Sequence, residues 1–178
     1  ILAYSLYTHK EIFIRELVSN ASDALNKLNY LQLTQPDSIY GAGAELCVRI
    51  EFDKSEKSII IKDTGIGMTK TEIIENIGTI AKSGTKNFIE NISKSGGNVA
   101  DIIGQFGVGF YSAFIVAKKV EVITKSYIKD EPAFKWSCDG SSEYTLEPAD
   151  KTDRGTEVVI YLKDDENEFL EKERVKSV

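Results

Sequence analysis

One histidine, two cysteines and one methionine make up the whole supply of soft metal ligands in this chain of 178 residues. With His9 alone, beside Lys10 and Glu11 and read as a solvated helix residue, neither a multi-histidine metal centre nor a histidine-based triad is expected. Cys47 and Cys138 stand far apart in strand-like stretches. They make neither a disulfide framework nor a zinc site and read as free thiols. Basic charge is also short: 22 Lys and Arg against 28 Asp and Glu give a net charge of −6. Such a chain has no long-range pull on nucleic-acid phosphates, so no nucleic-acid partner is expected. No apolar run approaches the roughly 20 residues of a membrane span. The first ten residues lack the basic start and pure apolar core of a signal peptide, so a cytoplasmic location and no membrane partner are expected. An initiating methionine is missing too. The chain opens inside one helical pattern and ends in another, Glu166 to Val178, and so reads as a piece of a longer protein trimmed at both ends. What is there is ordinary for a globular fold, 42% hydrophobic and 28% charged, in a length that fits one domain.

Periodicity divides the chain. Residues 2–33 carry apolar side chains at helical spacing and read as one long helix or two abutting helices, and Pro36 with the Gly41-Ala-Gly43 stretch ends that pattern. Residues 46–52 alternate as a strand, Asp53 to Lys57 make a turn, and Ser58 to Lys62 form a more buried strand, which predicts a hairpin. Thr69 can cap a helix reaching about Ile77. A further helix is predicted from about Thr85 to Ile92, a Ser/Gly/Lys-rich loop over 93–98, and a helix over 108–116. Strands follow at 119–126, 133–138, 143–147 and 156–162. Strands in succession late in the chain and helices earlier predict an α+β domain in two layers, a mixed, mostly antiparallel sheet with helices on one face.

Five stretches carry chemistry. Glu16, Asn20, Asp23 and Lys27 fall within an arc of about 60° at about 100° per residue, beside an apolar arc of Phe13, Leu17, Ala21, Ala24, Leu25 and Leu28. Arg15, Ser19, Ser22, Asn26 and Asn29 take the opposite, solvent side. The plain alternative is a salt-bridged helix edge. The amide argues for more: one Asn suits magnesium, which leaves most of its shell to phosphate and water, and a nearby Glu can polarise a water. Asp63-Thr64-Gly65-Ile66-Gly67-Met68 follows the buried strand; it is either a simple turn or an acceptor-only carboxylate waiting for a donor such as adenine's amino group. Gly104, Gln105, Phe106, Gly107, Val108, Gly109 and Phe110 open the helix of 108–116 and are either a flexible turn or a backbone cradle for an anion. They are not a Walker loop, because no Gly-Lys-Ser/Thr follows. In Gly78 to Thr85, Lys82 beside Ser83 is either a solvated lysine or a point charge for a phosphate. Thr156, after Arg154-Gly155, either favours its strand or gives a hydroxyl to the same pocket.

Taken together and in this order, Lys10 to Asp23, Asp63 to Met68, Gly78 to Thr85 and Gly104 to Ser112 closely resemble the N-terminal domain of the heat-shock protein 90 chaperones. That family shares its ATPase fold with gyrase, mismatch-repair proteins and histidine kinases. Tyr40 to Leu46 and Lys151 to Thr156 look most like its bacterial cytosolic branch. The resemblance covers essentially the whole chain. It implies a two-layer sandwich with a sheet of about eight strands, and binding of ATP and ADP with magnesium. By resemblance Glu16 is the catalytic carboxylate, Asn20 the magnesium ligand, and Arg15 a residue that holds the acid in check. Asp63 takes the adenine amino group, with Gly67 and Thr156 joining through water. Met68, Asn76, Ile77 and Phe110 line the pocket, while Lys82 and the backbone of Gly104 to Gly109 hold the phosphates. A lid spans about 78–109.

The same resemblance implies, for the longer protein, a homodimer that handles unfolded client proteins and co-chaperones, and for this stretch a monomer. Asn26 and Asn29 depart from the family's usual acid and base, on the solvent arc. The family's first strand and the arginine supplied by its middle domain are absent from the sequence. Loss of such positive charge costs phosphoryl transfer about 10³–10⁵-fold, so this stretch is expected to bind nucleotide and hydrolyse it very slowly. The alternatives are a DNA-acting relative, disfavoured by the acidic balance, and a nucleotide-gated module without hydrolysis, disfavoured by Glu16 on the face of Asn20.

Overall fold

The computed structural model describes residues 11–78, 109–141 and 143–171. Over the described residues the long helical pattern forms α1, Ile12–Thr34, which ends at Gln35 ahead of a short 3₁₀ turn, Pro36–Ser38; the part of the pattern over 2–10 lies outside the described residues. Most of its apolar arc is buried as spacing demands: Phe13, Leu17, Ala21 and Leu28 lie inside, Ala24 and Leu25 are half-buried, and Arg15, Ser19, Ser22, Asn26 and Asn29 are exposed. The predicted hairpin is β1, Val48–Asp53, and β2, Ser58–Asp63, paired antiparallel. Asp53 organises its turn, Oδ1 accepting from Ser55 N at 3.0 Å and Glu56 N at 3.1 Å.

The later strands are β3, Ala117–Lys125; β4, Phe134–Cys138; β5, Tyr144–Pro148; and β6, Gly155–Leu162. Six strands form one sheet in the order β1-β2-β6-β3-β4-β5, antiparallel at every described pairing. β6, last in sequence, thus lies between β2 and β3. Alternation on β2 turns Ile59, Ile61 and Asp63 toward α1 and leaves Ile60 and Lys62 on the far face. The core closes with Val120, Val122, Ile160 and Leu162 of the sheet, with Phe13 edge-on to Phe169 at 5.1 Å. Trp136, wholly buried, lies 5.7 Å from Phe110 and 6.0 Å from Tyr144.

Three predicted helices come out differently. Thr69 does cap a helix, and with Glu72 forms a reciprocal capping box. That helix, α2, is α-helical only over Lys70–Ile73 and widens into a π turn, Ile74–Gly78. The helix expected over 108–116 is a run of tight 3₁₀ turns, Gly109–Ile115. Ser112 Oγ donates to the Gly109 carbonyl at 2.5 Å and Val116 N to Ala113 O at 3.2 Å, a three-residue pattern that hands the chain straight into β3. Of the expected helix from Glu166 to Val178, the described part is a short 3₁₀ turn, Asn167–Leu170. The expected helix of 85–92 and the loop of 93–98 lie outside the described residues.

The loop after β2 is sewn to both neighbours. Ile66 N donates to Ala24 O of α1 at 3.3 Å, and Tyr127 N donates to Ile66 O at 2.8 Å. Gly67 has φ +62°, and a Cβ there would stand 1.9 Å from the Lys125 carbonyl oxygen. Gly67→Ala should therefore cost about 2–4 kcal/mol of stability, because backbone rather than a flexible side chain must give way. Urea unfolding followed by circular dichroism measures this. A loss within about 0.5 kcal/mol, the range of an ordinary surface substitution, would contradict the close packing of loop on strand.

Candidate functional site

Sheet register builds the site. Ile61 stands opposite Val158, and Val158 opposite Val122, so three adjacent strands lay down one apolar row. Two residues along, Asp63 stands opposite Thr156 and Thr156 opposite Thr124, a polar row beside it. Above these rows α1 contributes Leu17, Asn20, Ala21, Asp23, Ala24 and Lys27. A cavity of about 330 Å³ lies between them, its remaining wall made by Ile66, Gly67, Met68, Glu72, Asn76, Ile77 and Phe110. An apolar floor with a few polar groups at the rim is the usual make-up of a small-molecule site. A larger recess of about 570 Å³ sits under the outward-facing charges Arg49, Glu51, Lys62, Lys151 and Glu157. Its walls mix both signs of charge, and Asp63 borders both spaces; we take the smaller cavity, floored by Ile61, Val122 and Val158, as the site.

Asp63 is 8% exposed, and one carboxylate oxygen accepts from Gly65 N at 2.9 Å. Burial dominates its titration and pushes its pKa up from 3.8 to about 6; the bonds from the Gly65 and Thr156 backbones and the Lys151 charge oppose this only in part. Near neutrality Asp63 is thus an ionised, acceptor-only group at the polar end of an apolar slot. Thr156 Oγ1 lies 2.9 Å from Thr124 Oγ1, and the same Thr124 oxygen accepts from Met68 N at 2.9 Å. Arg154, 4% exposed, holds this end of the sheet from behind. Its Nε donates to Thr64 O at 3.0 Å, and its Nη1 to Tyr40 O at 2.9 Å and Gly41 O at 2.7 Å.

Of the residues singled out from sequence, Asn20, Asp23, Lys27, Asp63, Gly67, Met68, Asn76, Ile77, Phe110 and Thr156 line this one cavity. Glu16 is not on its lining. It lies at the neighbouring end, where a Cβ on Gly109 would stand 2.2 Å from its carboxylate Oε2. Arg15 is exposed on the far side of α1. Lys82, Ser83, Gly104, Gln105, Phe106, Gly107 and Val108, with most of the expected lid, lie outside the described residues. Sequence reasoning missed Thr124, Arg154, Glu72 and the floor of Ile61, Val122 and Val158. The inward period of each strand was available as a signal for the floor; the pairing of β6 between β2 and β3 was not.

Residues 7–166 match the family described as histidine kinase-, DNA gyrase B-, and HSP90-like ATPase. The whole chain aligns, at 49% identity over 179 positions, with the chaperone protein HtpG of Shigella dysenteriae serotype 1. The chaperone proteins HtpG of Escherichia coli K12 and O157:H7 align over the same span at the same identity. The chain spans 28% of the length of these curated relatives. Among the described residues no helix is long and apolar enough to cross a membrane.

The raised pKa of Asp63 makes the stability of the fold depend on pH. Between 3.8 and about 6 the folded chain keeps a proton that the unfolded chain has released. This residue's share of stability is complete below 3.8 and is lost as pH rises through about 6. Asp63→Asn should remove that slope, so that the variant gains on the parent between pH 4 and pH 7 by up to about 3 kcal/mol. Paired urea titrations at the two pH values measure it. A variant that loses ground over this interval would show that the fold favours the charged form.

Proposed function

The chain belongs to the histidine kinase-, DNA gyrase B- and HSP90-like ATPases, and from that membership we propose that it is the nucleotide-binding domain of a chaperone of the HtpG kind, taking ATP and ADP with magnesium. The observation that carries this reading is that Asp63 and Asn20, more than forty positions apart in sequence, line one apolar-floored cavity. In this reading the purine lies on the row of Ile61, Val158 and Val122. Its amino group donates to the Asp63 carboxylate, with Thr156 and Gly67 completing the contact through water. Met68, Asn76, Ile77 and Phe110 close round base, sugar and the first phosphate. The phosphates run toward Asn20 and Lys27, and toward Lys82, Ser83 and the backbone of Gly104 to Gly109.

Among the described residues no cluster of three or more His, Cys, Asp or Glu could cage an ion. A single amide oxygen at the cavity rim fits magnesium, which shares its shell with phosphate and water. Bound there, the ion would neutralise phosphate charge. Glu16, one turn of α1 before Asn20, would accept a proton from the attacking water, and Arg15 would restrain it when nucleotide is absent. In the longer protein, we place the expected lid of about 78–109 over the nucleotide, with its closure biasing a homodimer that handles unfolded client proteins and co-chaperones in the cytoplasm. A DNA-acting role is disfavoured by the net charge of −6 and by the chaperone names of the relatives.

Calorimetry with ADP and magnesium should detect binding to this chain. Asp63→Asn should weaken it at least about a hundredfold, since the Asn oxygen is held by the Gly65 N–H and its NH2 then meets the adenine amino group donor to donor, leaving a buried polar group unpaired. Affinity kept in the variant would remove Asp63 from the site. In the longer protein, Glu16→Ala should leave ATP binding intact and lower turnover by about 10²–10⁴-fold. Undiminished hydrolysis would assign the base to another group.

A further inference from the structure

Thr124 is wholly buried and does not line the cavity, yet its hydroxyl meets three polar atoms. Met68 N donates to it at 2.9 Å, Thr156 Oγ1 lies at 2.9 Å, and the Gly155 carbonyl at 3.3 Å. A threonine hydroxyl has one proton to give and two lone pairs to offer. The Met68 amide occupies a lone pair, so the open question is where the proton goes. Either hydroxyl could donate in the 2.9 Å bond, but if Thr156 gave its proton, that of Thr124 would be left with the Gly155 carbonyl at 3.3 Å, beyond the usual hydroxyl range of about 2.5–3.0 Å, so donation from Thr124 to Thr156 is the better-satisfied arrangement. Once Thr156 Oγ1 receives that proton, its own proton must turn elsewhere, and Thr156 faces the cavity.

We propose that Thr124 is a positioning residue for purine discrimination, fixing the Thr156 hydroxyl as a donor beside the acceptor Asp63. The inference rests on the nucleotide reading above and deepens it. An acceptor next to a donor matches the adenine edge, where the 6-amino group donates and N1 accepts. The same pair opposes a 6-oxopurine, where O6 accepts and N1–H donates. Asp63 alone supplies half of this code. The other half belongs to a hydroxyl that could turn either way, and the buried Thr124 removes that freedom. The contact from Thr156 to N1 is direct or passes through one water, which relays the same polarity.

The test uses calorimetry on the 178-residue chain with three magnesium-bound nucleotides: ADP, IDP and 1-deaza-ADP, which keeps the amino group and lacks N1. The parent should prefer ADP to both, losing about fivefold to tenfold for 1-deaza-ADP as one hydrogen bond disappears. Thr124→Val, of equal volume, should weaken ADP while leaving IDP little changed, so the ADP-to-IDP ratio contracts by about fivefold. Thr124→Ser should restore the parent ratio. Equal weakening of ADP and IDP in the valine variant would make Thr124 merely structural and overturn the proposal. Equal binding of ADP and 1-deaza-ADP by the parent would overturn it without any variant, so it stays testable if Thr124→Val fails to fold. A parent that binds none of the three would overturn the nucleotide reading itself, and the inference with it.

Discussion

A carboxylate held at the dry end of a β-strand is the constraint around which this domain is arranged. Asp63 reaches its place because β2 is pulled inward by Ile59 and Ile61, and the strand's period of two carries the acid to the same face. For a carboxylate that is a costly position, and burial raises the pKa to about 6 as a result. The surroundings reduce the cost without removing it, through the Gly65 amide and the distant Lys151 charge. A buried charge with acceptor capacity to spare is complementary to a ligand that brings donors into an apolar slot. Stability given up locally is thus available as selectivity.

The neighbouring structure serves to hold that acid at a fixed offset from α1. The loop that follows it bonds to Ala24 on the helix and, through Ile66 and Met68, to the end of β3. Arg154 ties the Thr64 carbonyl to the chain at Tyr40 and Gly41. Helix, sheet and connecting loop are therefore tied together at this end of the cavity. The opposite wall is made differently. There α2 gives up its regular turn after Ile73, and the π turn carries Asn76 and Ile77 to the cavity. Tyr111 bonds through its hydroxyl to the Ile77 carbonyl, so this wall is tied to the tight turns that lead into β3.

Much of this was legible in the chain. Apolar spacing placed α1 and its faces correctly, because a helix half-buried on a sheet must show its period. Alternation found all six described strands to within about two residues, the usual uncertainty of element ends. The pocket residues on α1 and in the Asp63 loop were found because their chemistry is odd for their setting: an amide in a charged stripe, an acid at an apolar strand end. Thr124 shows the limit. A threonine in a strand is what strand propensity alone would supply, and nothing local marks it. Its meaning comes from β6 sitting between β2 and β3, a long-range pairing with no trace in either segment. The failed helices have a related cause. The turns from Gly109 to Ile115 and the widening after Ile73 follow from how segments join the sheet and the cavity, which overrides a pattern that spacing alone reads as helical.

Trp136 gives the molecule an optical property. It is the one tryptophan in the chain, and its indole is wholly buried with no hydrogen-bond partner for Nε1 among the described residues. Its ring meets Phe110 at 5.7 Å, and Phe110 in turn faces the cavity. One aromatic ring therefore separates the only strong intrinsic fluorophore from whatever fills the site. Indole emission responds to the local field and to the packing of its neighbours, so a guest that shifts Phe110 is reported by light from the core, with no label attached.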